Sequence, residues 1–264
     1  IMNNKQQIYK FYNDQNKMKF YSSVCVSTDP QRSLRIISFL PYITFENRLP
    51  IQINVSFLSY EIDYDLKPGK KFDVSYLKDK ILKLRIKIRI EPFGESDDTE
   101  ITTYDKKPNP IRISINRGKE TKCRIAFMCV YDDKTDTYNN IIFAPCVLYN
   151  ETNVPLLIKG SSKMYYPFIN KMCIYTPKEF IHPGPFKSSN IPLRIKLQDM
   201  TEINLNEIDC LQIKTKEKLS LPFIDNNELY CQISAVKKPS KFENTTNLVL
   251  KIHFTIFNHL DSNI

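Results

Sequence analysis

The sequence predicts an all-β protein made of tandem antiparallel β-sandwich repeats, each of about 105 residues. Three observations predict it. First, apolar and polar side chains alternate in short runs, most clearly Leu82-Lys83-Leu84-Arg85-Ile86-Lys87-Ile88-Arg89-Ile90, the period of a strand with one buried face. Second, turn-forming residues separate these runs, at Pro68-Gly69, Pro92-Phe93-Gly94, Pro108-Asn109-Pro110 and Pro183-Gly184-Pro185. Third, one phrase recurs: an apolar run ending on Asn, a turn, then a second apolar run.

The phrase is complete in Phe143-Ala144-Pro145-Cys146-Val147-Leu148-Tyr149-Asn150, followed by Glu151-Thr152-Asn153-Val154-Pro155-Leu156. It occurs earlier as Phe39-Leu40-Pro41-Tyr42-Ile43-Thr44-Phe45-Glu46-Asn47, with Leu49-Pro50-Ile51 after it. A third copy, His253-Phe254-Thr255-Ile256-Phe257-Asn258-His259-Leu260, lacks the Pro. The three Asn stand 103 and 108 residues apart, a spacing that fits a domain-sized unit and not a solenoid turn. Ahead of each Asn lies a strand, a polar loop and a second strand. The intervals Val26 to Asn47, Val130 to Asn150 and Val236 to Asn258 are 21, 20 and 22 residues.

Taken in order, residues 1–16 are polar, and the strand text begins with Phe20-Tyr21-Ser22-Ser23-Val24-Cys25-Val26. Residues 1–37 then read as a linker and the final strands of a preceding repeat, 38–141 and 142–250 as two whole repeats, and 251–264 as the start of another. Within the two repeats the interiors match: Ile51 to Phe57 answers Val154 to Ile158, Leu82 to Ile90 answers Leu193 to Leu197, and Ile111 to Ile115 answers Leu219 to Leu221. One short helical turn is expected near Ser75 to Lys80.

Composition narrows the function classes. At 264 residues with 42% hydrophobic content, the chain can build two cores and is not a disordered sequence. It carries 38 basic against 29 acidic residues, a net charge of +9, which favours anionic partners such as lipid headgroups. No run of 18 apolar residues exists, so no transmembrane segment is expected, and the start, Ile1-Met2-Asn3-Asn4-Lys5, has no signal-peptide apolar region. Seven Cys with no CxxC pair read as reduced, buried thiols of a cytoplasmic protein. Three His without metal-ligand spacing, no phosphate loop and no nucleophile elbow argue against an enzyme, a bound metal or a cofactor. The acidic pairs Asp97-Asp98 and Asp132-Asp133 supply too few oxygen ligands to make a calcium site on their own.

The recurrent phrase resembles the adaptor-binding repeats of the vacuolar protein sorting-associated protein 13 family, the chorein-type bridge-like lipid transfer proteins. The resemblance covers the chain from about Lys17 onward. It implies an array of β-sandwiches, each marked by a characteristic Asn, that recruits the transporter to organelle membranes and membrane contact sites. Recruitment in that family works through adaptor proteins carrying short Pro-x-Pro peptides. Asn47, Asn150 and Asn258 are the positions matching the family Asn, and so the candidate repeat-marker or peptide-binding residues.

The residues themselves allow two roles for those Asn. An amide with two donors and an acceptor can tie a strand end to the following turn, or it can line a peptide groove. A second candidate is the face carrying Lys83, Arg85, Lys87 and Arg89, four cations in line that could hold anionic headgroups or serve as a solvated, self-pairing-resistant sheet surface. Aromatic residues do not interleave with these cations, so nucleic acid is not the expected partner.

Overall fold

The structure is a computed structural model that describes residues 7–13, 18–29, 34–74, 83–103, 106, 110–152, 154–159, 165–176, 192–197, 206–209, 218–225, 228–242 and 245–252. It is all-β, as the alternation and the turn residues predict. The chain divides into two compact units that part between Ala144 and Pro145. The expected helical turn at 75–80, Pro108 and Asn109 of the first Pro-x-Pro segment, the whole of Pro183-Gly184-Pro185, and the third copy of the phrase with Asn258 lie outside the described residues.

In the first unit, β1 (Gln7–Asn13), β2 (Met18–Asp29) and β3 (Leu34–Pro41) form a three-stranded antiparallel sheet in that order. The ten-stranded sheet that follows is built from β4 (Ile43–Asn47), β5 (Ile53–Phe57), β6 (Ile62–Leu66), β7 (Lys71–Asp73), β8 (Lys83–Ile90), β9 (Gly94–Ser96), β10 (Thr99–Thr102), β11 (Ile111–Arg117), β12 (Glu120–Asp132) and β13 (Thr137–Phe143). Its order is β6-β5-β8-β9-β11-β12-β13-β4-β7, with β10 on β8. The alternation is realised most fully in β8, where Leu84, Ile86, Ile88 and Ile90 are buried and the intervening cations face outward. At the centre of the core Phe45 meets Phe57, Phe72 and Phe127, with ring centroids 5.2, 5.4 and 6.0 Å apart, separations at which aromatic pairs add to simple burial.

The second unit repeats the pairing scheme with two sheets. One holds β17 (Met172–Tyr175), β14 (Cys146–Asn150), β22 (Thr246–Ile252), β21 (Glu228–Lys238) and β20 (Lys218–Asp225) in that order. The other runs β16 (Tyr165–Pro167), β15 (Leu156–Lys159), β18 (Pro192–Leu197), β19 (Asn206–Asp209). Leu148, Leu156, Ile158, Tyr166, Ile195 and Leu250 share its buried core with residues from both sheets. Read as orders, β7-β4-β13-β12-β11 and β17-β14-β22-β21-β20 correspond strand for strand, as do β6-β5-β8 and β16-β15-β18.

What differs is the link between the two halves. In the first unit the three-residue strand β9 pairs with β8 on one side and β11 on the other, making one continuous sheet. Its Ser96 hydroxyl accepts a hydrogen bond from the Ile88 N–H at 2.9 Å. Among the described residues of the second unit, β19 pairs with β18 alone.

Among the described strands pairing is antiparallel except in two places. β4 runs parallel to β13 and β14 runs parallel to β22. Alternation alone carries no information on strand direction, and these pairs join strands separated by 89 and 95 residues of chain, far beyond a hairpin's reach. Each lays the strand that ends on the corner Asn beside a strand from the far end of its unit.

The expected burial of the cysteines is seen at four of the described positions: Cys123, Cys129, Cys146 and Cys173 are buried, and Cys25 is half-buried. Burial pushes the Cys123 thiol far above its ordinary range, so it carries no thiolate reactivity.

Candidate functional site

The two described corner Asn have the same geometry. Asn47 ends β4 and is fully buried. Its Nδ2 donates to the Ile51 and Leu66 carbonyls, both at 2.8 Å, and its Oδ1 accepts the Leu49 N–H at 2.8 Å. Its own N–H donates to the Lys70 carbonyl, and its carbonyl accepts from the Gly69 N–H. Asn150 ends β14. Its Nδ2 donates to the Val154 carbonyl at 2.7 Å, and its Oδ1 accepts the Thr152 N–H and hydroxyl at 3.0 and 2.6 Å. Its N–H donates to the Lys171 carbonyl.

Both side chains therefore accept from the N–H two residues on and donate to the carbonyl four residues on. That is an Asx-type turn, which lets a strand end reverse without burying unpaired backbone groups. The opposite side of each corner needs a left-handed residue: Gly69 has φ 71°, and Asn170 and Lys171 have φ 49° and 63°. With both amide hydrogens and the acceptor engaged inside its own corner, Asn47 is placed to hold the turn.

Glu46, just before the first corner Asn, sits in a buried polar cluster along the parallel β4–β13 pair. Arg48 Nε donates to Oε1 at 2.7 Å, Asn139 Nδ2 to Oε2 at 2.6 Å, and Lys71 Nζ lies 3.1 Å from Oε2. The Thr44 hydroxyl donates to Asn139 Oδ1 at 2.9 Å, which fixes the orientation of that amide. Burial alone would raise the Glu46 carboxyl. The hydrogen bonds from Arg48, Asn139 and Lys71 outweigh it and hold the pKa down at about 2, against an ordinary 4.5. A depressed carboxylate contributes stability that is complete above its unfolded pKa and is lost as pH falls through its folded one.

Glu46 should thus add about 2 kcal/mol at neutral pH, after discounting for screening on its exposed side. That contribution fades as pH falls from 4.5 to about 2. Melting curves of the wild type and Glu46→Gln should converge across that window and stay separated above it. Parallel curves over the whole range would show that Glu46 is not held ionised by this cluster.

The basic face of β8 turns out to be mixed in charge. Lys83 pairs with Glu100, Arg85 with Asp98 and Lys87 with Glu95, each at 2.7 Å. The acids come from β9, β10 and the turn between them, which lie directly beside β8. Each exposed pair is worth only about 0.2–1 kcal/mol, but together they balance the charge that would draw an anionic surface. Arg89 lies on the same face, opposite Glu95 in the register, with no ion pair among the described residues. Asp98, one of the residues weighed for calcium, is engaged by Arg85, and Asp132 accepts the Lys134 N–H within its own turn. Among the described residues no group of three or more His, Cys, Asp or Glu is placed to hold a metal ion, and no helix is long and apolar enough to cross a membrane.

One feature gives no signal in the alternation. On β3 the side chains of Ile36, Ile37 and Phe39 are 48%, 59% and 63% exposed, although the run reads as an ordinary buried strand.

Among the described residues β3, β6 and β7 each pair on one side only, and protein recognition by strand addition uses edges of that kind. A family model, described as Vacuolar-sorting associated protein 13, adaptor binding domain, matches residues 1–178. That range takes in β1 to β17. No curated protein matches the chain.

Proposed function

This chain belongs to the vacuolar-sorting associated protein 13 adaptor-binding-domain family, and we propose that it is the non-enzymatic region that recruits a bridge-like lipid transfer protein to organelle membranes. In this reading the chain works at the cytoplasmic side, peripheral to the membrane, and binds short Pro-x-Pro segments on adaptor proteins. The observation that carries the proposal is the family match over residues 1–178.

We also read the two units as repeats of a tandem array, with the corner Asn as the marker of each. The recurring strand order and the two hydrogen bonds that Asn47 and Asn150 share, from the N–H two residues on and to the carbonyl four residues on, support that reading. The corner then gives rigidity, and contact with adaptors falls to strand edges and the grooves beside them.

The chemistry of the ligand suits such an edge. Pro fixes its own φ and lacks an N–H, so a Pro-x-Pro segment arrives already extended and loses little entropy on binding. It pairs through its carbonyls and the single N–H between the prolines, and presents two rings to apolar pockets. Direct capture of anionic lipid by the β8 face is the competing reading, and the three ion pairs on that face count against it.

Calorimetric titration with a Pro-x-Pro peptide, beside the same peptide with both prolines replaced by Ala, tests the proposal. Saturable binding of the first peptide alone is the expected result. Equal binding of both, or of neither, would overturn it.

A further inference from the structure

We propose that the seam between β6 and β7 seats the adaptor segment, and that it selects a basic residue between the two prolines. This rests on the proposed binding of Pro-x-Pro segments and adds to it a place and a charge preference. β6 and β7 follow one another through Lys67-Pro68-Gly69-Lys70, and the Lys70 N–H donates to the Lys67 carbonyl at 3.1 Å, as in the turn of a hairpin. Yet the two strands do not pair with each other. β6 pairs with β5 and β7 with β4, and among the described residues each leaves its other edge open.

Asn47 stands between them. In a regular hairpin the Lys70 carbonyl would accept from the Lys67 N–H; here it accepts from the Asn47 N–H. The Leu66 carbonyl takes Asn47 Nδ2, and the Gly69 N–H donates to the Asn47 carbonyl. The corner residue thus occupies the closed end of a splayed pair. Beyond it Tyr64 and Phe72 stack across the seam, with ring centroids 4.3 Å apart and planes 18° from parallel. Both residues are half-buried. In the second unit the aromatic pair on the corresponding strands, Tyr166 and Tyr175, is fully buried, so it is the first unit that offers its rings.

An open edge beside exposed rings suits an extended segment. Every second residue of β6 turns its N–H and C=O away from β5, toward the carbonyls and the single N–H of Pro-x-Pro. Side chains of a segment paired to a strand alternate between faces. The two prolines therefore share one face, and the residue between them takes the other. With the prolines on the Tyr64–Phe72 stack, the middle residue lies on the outer face of β6, where Asp63 and Asp65 are exposed. The Asn54 amide donates to Asp65 at 3.1 Å, a neutral donor that leaves the negative charge standing. Across the seam Asp73 is also exposed, while Lys71 is drawn to Glu46. Lys67 and Lys70 lie in the turn, at the closed end. A Lys or Arg between the prolines meets carboxylates here, although the chain as a whole carries a net charge of +9.

Peptides with uncharged flanks that differ only in the middle residue, Pro-Lys-Pro, Pro-Ala-Pro and Pro-Glu-Pro, test this by calorimetric titration of the 264-residue chain. At low ionic strength the Lys peptide should bind about fivefold or more tighter than the Glu peptide, with the Ala peptide between them. At high ionic strength the difference should shrink to under about twofold. Attraction by net charge alone gives the reverse order. Asp63→Asn together with Asp65→Asn should erase the preference and leave the melting temperature and the affinity for the Ala peptide unchanged, because both side chains are exposed. Saturating Lys peptide should slow amide exchange within Ile62–Leu66 and leave β3 and β8 as they were.

Equal binding of the Lys and Glu peptides, tighter binding of the Glu peptide, a preference that survives the double substitution, or protection confined to another strand would each overturn this inference and leave Pro-x-Pro binding itself in place. Binding of none of the peptides would overturn both.

Discussion

Asn47→Ala should lower the stability of the first unit by about 3–5 kcal/mol, because three hydrogen bonds, two of them fully buried, go at once and leave their partners without replacement. The groups left behind are the Ile51 and Leu66 carbonyls and the Leu49 N–H. With Asn47 fully buried, water cannot take its place without opening the corner. A loss of that size in a unit of this length corresponds to a melting temperature lower by about 10 °C.

Asn47→Asp separates the donors from the acceptor. It keeps the bond from Leu49, removes both donors and turns a carboxylate toward two carbonyls, so it should recover little of the loss. Asn150→Ala should cost less, about 2–3 kcal/mol, since Asn150 is 8% exposed and the Thr152 hydroxyl also reaches the Val154 carbonyl. Thermal unfolding followed by circular dichroism measures all three. Wild-type melting of Asn47→Ala together with lost peptide binding would move the corner Asn from scaffold to ligand contact.

Gly94→Ala should be comparably damaging. A Cβ at this position would stand 2.0 Å from the Asn116 carbonyl oxygen and 2.7 Å from its carbon, and φ is +119°, a region that side chains rarely adopt. The obstacle is backbone, so it cannot swing aside. The strain alone costs about 1–3 kcal/mol, and relief requires β9 to part from β11. That would undo the pairing of Ser96 with Ile115 and of Glu95 with Asn116.

We expect a total of about 3–5 kcal/mol, with faster amide exchange where β9 and β11 pair, at Glu95–Ser96 and Ile115–Asn116, as the local signature. Gly118→Ala is the matched control. Gly118 has φ +63° but nothing within 4 Å of a built Cβ, so its cost should be about 1 kcal/mol. If Gly94→Ala melts within a degree or two of the wild type, β9 does not bridge the two halves of the sheet as described.

Much of the fold was legible because strand periodicity is local. The β8 run needed only its own alternation, and the corner Asn could be found because the same physical problem, ending a strand without orphaned backbone groups, was solved the same way twice. What was not legible is what distant residues do together. Nothing near Glu46 announces Asn139, and nothing in the run from Leu82 to Ile90 announces that Glu95, Asp98 and Glu100 fold back beside it.

The acids were visible but read as a loop, since Pro92-Phe93-Gly94 looks like a simple breaker. Gly94 in fact opens the strand that joins the halves of the sheet. The exposure of Ile36, Ile37 and Phe39 was hidden for a related reason. Their sequence carries the pattern of a buried strand, and only the pairing shows that among the described residues β3 has a neighbour on one side alone.

On the proposed reading this region binds adaptors through backbone pairing and apolar pockets and not through its net positive charge. The salt dependence of the Pro-x-Pro peptide titration separates those two modes. Contacts of that kind are barely screened, so the dissociation constant should change by less than about twofold between low and high ionic strength. A weakening of about tenfold or more, matched by salt-sensitive binding to vesicles containing anionic lipid, would contradict the account and assign the region to the membrane surface itself.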